Sequence, residues 1–116
     1  MRRLIPYLII SLLILISIRT QGQIRIAVSR TASTYEAWLK KADPDAFIVN
    51  MYGHTIDSAL KLLSTCSGLL LTGGEDVNPA RYGKENELSK CEEINNYRDS
   101  LEFALIKKAI EAKMPV

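Results

Sequence analysis

Histidine and cysteine are almost absent from this 116-residue chain. His54 is the one histidine, and Cys66 and Cys91 are the two cysteines. That supply cannot build a zinc site from the usual four His/Cys ligands. Aromatic residues make up 7%. No excess of basic charge remains once the N-terminus is set aside. Arg2, Arg3 and Arg19 flank one oily segment, and beyond residue 22 there are 12 basic residues against 13 acidic ones. Composition therefore gives no argument for a nucleic-acid partner. No Gly-Lys-Ser/Thr ending is found, which excludes a phosphate loop. What is present is ordinary for a globular chain: 47% apolar and 24% charged residues, enough for one domain.

The apolar run Leu4–Ile18 follows Met1-Arg2-Arg3. It is short for a spanning helix, which needs about 20 residues. Its length fits the core of a signal peptide, and Thr20 and Gly22 suit the positions before a cleavage site. Residues 1–22 are therefore expected to be a signal peptide, and residues 23–116 the folded part. The expected location is periplasmic or extracellular. Arg19 directly behind the apolar core leaves an uncleaved membrane anchor as the alternative, and contact with a membrane is expected only through that segment. Export implies an oxidising compartment. The spacing of Cys66 and Cys91 does not decide whether they pair, and two free thiols, one buried and one in a loop, are the preferred reading.

Strand and helix then alternate. Ile24 to Ser29 reads as a strand with Ile24, Ile26 and Val28 alternating. Thr34 can cap a short helix to Lys41 that includes Trp38 and Leu39. Ala46 to Asn50 is a second strand. Thr55 or Asp57 can start a helix with Ile56, Leu60 and Leu63 on one face. Ser67-Gly68 ends that unit, and Leu69-Leu70-Leu71 has the continuous apolar character of a parallel strand covered on both faces. A polar loop runs from Thr72 to about Asn95. Asn95 or Asn96 then caps the clearest helix, with Leu101, Leu105 and Ala109 in one stripe. Met114-Pro115-Val116 reads as the start of a fourth strand. The pattern predicts a doubly wound α/β sheet. A last helix that delivers only the beginning of a strand suggests the N-terminal half of a larger domain.

In open α/β sheets ligands bind beyond the C-terminal ends of the strands. Gly73-Gly74 lies at such an end, where backbone N–H groups can face an oxyanion. Taken alone, a Gly-Gly pair is more often just a turn. The wider stretch Ser67-Gly68-Leu69-Leu70-Leu71-Thr72-Gly73-Gly74-Glu75-Asp76-Val77-Asn78-Pro79-Ala80-Arg81-Tyr82-Gly83 resembles the gamma-glutamyl-gamma-aminobutyrate hydrolase family. That family belongs to the class I glutamine amidotransferase-like cysteine hydrolases. A second match is Arg98-Asp99 with Glu102, followed by the Pro115-Val116 strand start.

The resemblance implies a flavodoxin-like doubly wound sheet and cleavage of gamma-glutamyl amides by a Cys-His-Glu triad, with no cofactor and no metal. The nucleophile of the family stands in a Gly-Ile-Cys-Arg-Gly type of sequence directly after the Pro-Val strand. On that pattern the chain stops before its nucleophile elbow and lacks the triad. What it carries over is Gly73 and Gly74 as oxyanion-hole backbone. Asp76, Asn78, Tyr82 and Arg98 are the expected binding residues around a small gamma-glutamyl substrate. Three of them have a plainer reading too: Asn78 and Tyr82 as turn residues, and Arg98 as one end of a helical i,i+4 pair with Glu102. The preferred role for Arg98 is structural; the sharper one has it reaching Glu75 or Asp76 and fixing the Gly-Gly loop. Cys66 precedes a strand, Cys91 lies among carboxylates and His54 has no visible partner, so none is assigned to catalysis. A non-catalytic carboxylate-binding module and a membrane-anchored scaffold stay open as alternatives.

Overall fold

The computed structural model describes residues 22–116, so nearly all of the expected signal segment lies outside the described residues. Three strands, β1 (Arg25–Val28), β2 (Phe47–Asn50) and β3 (Gly68–Leu70), form one parallel sheet in the order β2-β1-β3. Ile26 pairs with Ile48 on one side and with Gly68 on the other. Helices α1 (Ser33–Ala42) and α2 (Ile56–Leu63) make the crossovers, and α3 (Asn96–Glu111) follows the long loop. This is the expected doubly wound α/β arrangement. The chain leaves β1 toward β2, then returns across it to β3. The direction of winding therefore changes between β1 and β3, which is where open sheets leave a crevice.

The centre of the sheet is buried on both faces. Ala27 and Val28 point to opposite sides of β1, and both are fully buried. Simple alternation of Ile24, Ile26 and Val28 thus understates the strand, and Ile24 at its start is exposed. Ala27, Val49 and Leu69 from the sheet meet Ala59 and Leu63 of α2 and Leu101, Leu105 and Ala109 of α3. The i, i+4 stripe of α3 is the one expected from sequence. Thr55 caps α2, its side chain accepting from the Ser58 N–H, and Asn95 caps α3 by accepting from the Arg98 N–H.

Two expectations are corrected. Helix α1 begins at Ser33 after an extended Ala32, so Thr34 is inside its first turn and caps nothing. Leu39 is its buried residue, while Trp38 points outward. Gly68 is part of β3 rather than of the turn before it. The loop after β3 is also less irregular than its composition suggests. It holds 3-10 turns at Pro79–Tyr82 and Glu85–Lys90 and is closed by a bridge between Asp76 and Ile94. The Leu69 N–H donates to the Pro115 carbonyl, which lays the last residues along the free edge of β3.

Candidate functional site

Two hydroxyls stitch β1 to β3 at their C-terminal ends. Ser29 is fully buried, and its Oγ accepts from the Thr72 N–H at 3.1 Å. The Thr72 hydroxyl donates to the Arg30 carbonyl at 3.0 Å. The loops that follow, Arg30–Ala32 and Thr72–Asp76, therefore leave the sheet side by side. Together with Tyr35, Glu92, Glu93 and Arg98 they line an open cleft of about 570 Å³.

The floor of the cleft is a buried arginine. Asn95 holds the backbone of Arg98 at the start of α3, which aims its side chain back at the Gly-Gly turn. Its Nη2 donates to the carbonyls of Thr72 and Gly73, the latter at 3.0 Å. Nη1 donates to Glu75 Oε2 at 2.6 Å, and Nε to Glu102 Oε1 at 2.9 Å. Only 5% of the side chain is exposed. Burial alone opposes its charge; the bonds to Glu75 and Glu102 more than offset that and raise its pKa. The turn is held by its carbonyls, so its N–H groups are left over. Among the described residues the Gly73 and Gly74 amides donate to no protein acceptor.

Gly74 is required sterically. A Cβ there would lie 1.6 Å from Nη1 of Arg98 and 2.7 Å from Cζ. Gly73 is different, since a Cβ would meet only the Tyr35 hydroxyl at 3.7 Å, an ordinary contact.

Glu75 joins the two loops. Its Oε1 accepts from Arg30 at 2.7 Å while Oε2 accepts from Arg98. Its own backbone N–H, then Arg98 and Arg30, hold its carboxyl down at about 2 instead of 4.5. The folded pKa is below the unfolded one, so the ion pairs contribute fully above about pH 4.5 and are lost as the pH falls toward 2. A carboxyl titration of Glu75 followed by NMR should accordingly have its midpoint near 2. A midpoint near 4.5 would contradict the paired geometry.

The residues singled out from sequence fall into distinct places. Gly73, Gly74, Asp76 and Arg98 line the cleft. Asp76 is turned to loop closure: Oδ2 accepts from the Glu92 N–H, and its N–H donates to the Glu93 carbonyl. Asn78 caps the first 3-10 turn and is tied by its N–H to Asp99 Oδ2 at 2.8 Å. Tyr82 is exposed on that turn, and neither it nor Asn78 is among the cleft-lining residues. Cys66 and Cys91 are both free and half-buried, and both lie off the cleft. Burial pushes the Cys66 thiol up, away from thiolate formation. His54 is exposed, and its backbone carbonyl accepts from the Tyr97 hydroxyl.

Sequence reasoning missed Arg30, Tyr35 and the Ser29–Thr72 stitch. A signal for Arg30 existed, because it is the second residue past β1 and so stands at a strand's C-terminal end.

The fold and this crevice with its Gly-Gly turn define an α/β protein of the glutamine amidotransferase-like kind. The model of the peptidase C26 family matches residues 9–116, and the chain belongs to that family. A glutamine amidotransferase-like protein of Lactococcus lactis, YvdE, is 35% identical over 72 residues, covering 55% of this chain and 30% of its own length. A Mycobacterium tuberculosis protein provisionally named a glutamine amidotransferase, Rv2859c, is 38% identical over 55 residues, 47% of this chain and 18% of its own. A similarly named protein of Schizosaccharomyces pombe, PB2B2.05, is 37% identical over 49 residues, 42% of this chain and 19% of its own. The chain thus spans under a third of the length of the curated relatives it matches.

Proposed function

We propose that this chain supplies the oxyanion-binding half of the active site of an exported gamma-glutamyl amide hydrolase. The observation that carries the reading is the Gly73–Gly74 turn: Arg98 holds its carbonyls, and its amides are left for a ligand oxygen in the cleft. Membership of the peptidase C26 family and the amidotransferase names of the relatives support hydrolysis of an amide at that position.

In the proposed reaction a cysteine thiolate from outside these residues bonds to the gamma-carbonyl carbon. The carbonyl oxygen takes the negative charge and receives the Gly74 N–H. As the tetrahedral centre collapses, the C–N bond breaks and the amine leaves with a proton from the histidine. Water then attacks the thioester, releasing glutamate and restoring the thiol. The turn contributes most because its donors are fixed before the charge develops; losing one such donor typically costs about 10²–10³ in rate.

Neither Cys66 nor Cys91 lies on the cleft, so the 116-residue chain by itself should not turn over a gamma-glutamyl anilide. A release assay on the purified chain checks this. Thiol-dependent turnover that disappears in Cys66→Ser or Cys91→Ser would overturn the assignment of the nucleophile. Export rests on residues 1–22. The expected intact mass of the exported form is that of a chain starting at Gln23, whereas an uncleaved anchor retains Met1.

A further inference from the structure

Arg30 has more binding capacity than its structural partner uses. Its Nη1 bonds Glu75, while its Cζ stands over the Tyr52 ring, 4.7 Å from the ring centroid. Tyr52 is itself fixed: its hydroxyl accepts from Asn95, and Tyr97 packs edge-on against it at 5.3 Å. The guanidinium is therefore held by two partners, Glu75 and Tyr52. Yet the side chain is 44% exposed on the cleft, and among the described residues its Nε and Nη2 donate to no side chain or carbonyl. A planar fork fixed in this way and left with free N–H groups is built for a carboxylate.

Its placement selects which carboxylate. Arg30 and Arg98 take the two oxygens of the same Glu75 carboxylate, and Gly74 backs directly onto Arg98. Arg30, Gly73 and Gly74 thus line one and the same cleft. We propose that Arg30 recognises the alpha-carboxylate of the gamma-glutamyl group while its gamma-carbonyl oxygen sits at Gly73–Gly74. This inference rests on the gamma-glutamyl reading above and names the residue that gives it specificity. Glu75 then has two jobs: it anchors the turn through Arg98 and aims Arg30 at the substrate.

The test uses L-glutamate and 4-aminobutyrate, which keeps the gamma-carboxylate and the amine but lacks the alpha-carboxylate. Both are titrated into the full chain while the Gly73 and Gly74 amide signals are followed by NMR. L-Glutamate should bind about tenfold or more tightly than 4-aminobutyrate, the scale of a charge-assisted hydrogen-bond pair. Arg30→Gln should bring that ratio close to one, and Arg30→Lys should keep only part of it. Tyr52→Leu, which removes the shelf without touching the Arg30–Glu75 pair, should also lower the ratio severalfold and serves if Arg30→Gln loses the fold. A ratio near one in the unaltered chain, or one unchanged in these variants, overturns the role of Arg30 while the glycine amides still report a bound gamma-carboxylate. Absence of any shift at Gly73 and Gly74 with either ligand overturns the gamma-glutamyl reading, and the role of Arg30 with it.

Discussion

Gly74→Ala should destabilise the protein by about 2–4 kcal/mol, while Gly73→Ala stays within about 1 kcal/mol of the parent. The two glycines are neighbours in one turn, so propensity does not separate them. What separates them is the atom opposite. At Gly74 the added methyl would overlap the Arg98 guanidinium, with Nη1 at 1.6 Å. A long side chain can usually swing aside at small cost. Arg98 cannot, because it is buried and bonded to Glu75, Glu102 and the carbonyls of Thr72 and Gly73. Moving it leaves carboxylates and carbonyls without their donor. In a domain of this size such a loss lowers the Tm by roughly 10–20 °C. Chemical denaturation of both variants checks the contrast, and equal stabilities would show that the guanidinium is not seated against Gly74.

The second large effect is at Arg98 itself. Arg98→Ala should cost about 3–5 kcal/mol, the range for removing one partner of a buried ion pair. Arg98→Lys should recover less than half of it. An ammonium is a point charge and cannot serve two carboxylates and two carbonyls as a planar fork does. The pairing with Gly74 makes the two sites non-additive. Once Arg98 is shortened, Gly74→Ala has nothing to displace, so its cost in the Arg98→Ala background should fall below about 1 kcal/mol. Full additivity in that double-mutant cycle would disprove the interlock. Amide exchange at Thr72, whose N–H is bonded to Ser29 Oγ, should rise in Arg98→Ala, because the turn then has only Ser29, Arg30 and its own backbone to order it.

Local pattern was enough for most of the architecture. Leu69 and Leu70 announced a parallel strand, though Leu71 falls outside it and only Leu69 is buried; Leu101, Leu105 and Ala109 announced the inner face of α3, and Gly73-Gly74 stood at a strand end. Asn95 as a cap was legible because capping is a matter of a few adjacent residues. The network behind the turn depends on sheet order, which pattern does not encode. Arg30 and Glu75 are 45 residues apart and meet only because β3 returns to the far side of β1 from β2. Arg98 offered two readings in sequence, a helical pair with Glu102 and a reach to Glu75. The structure gives it both at once, through different nitrogens. Asp76 lines the cleft, as its position after the glycines suggested, and its carboxylate also closes the loop. The loop it sits in closes on Glu92 and Ile94, and that closure is a long-range event no short motif records.

The most direct measurement is a crystal structure of the chain with L-glutamate bound. The account predicts a gamma-carboxylate oxygen at about 3 Å from the Gly74 nitrogen, with the Arg98 guanidinium behind the turn and still on Glu75. Glutamate bound away from the turn, or a Gly74 N–H donated to the protein instead of the cleft, would contradict it.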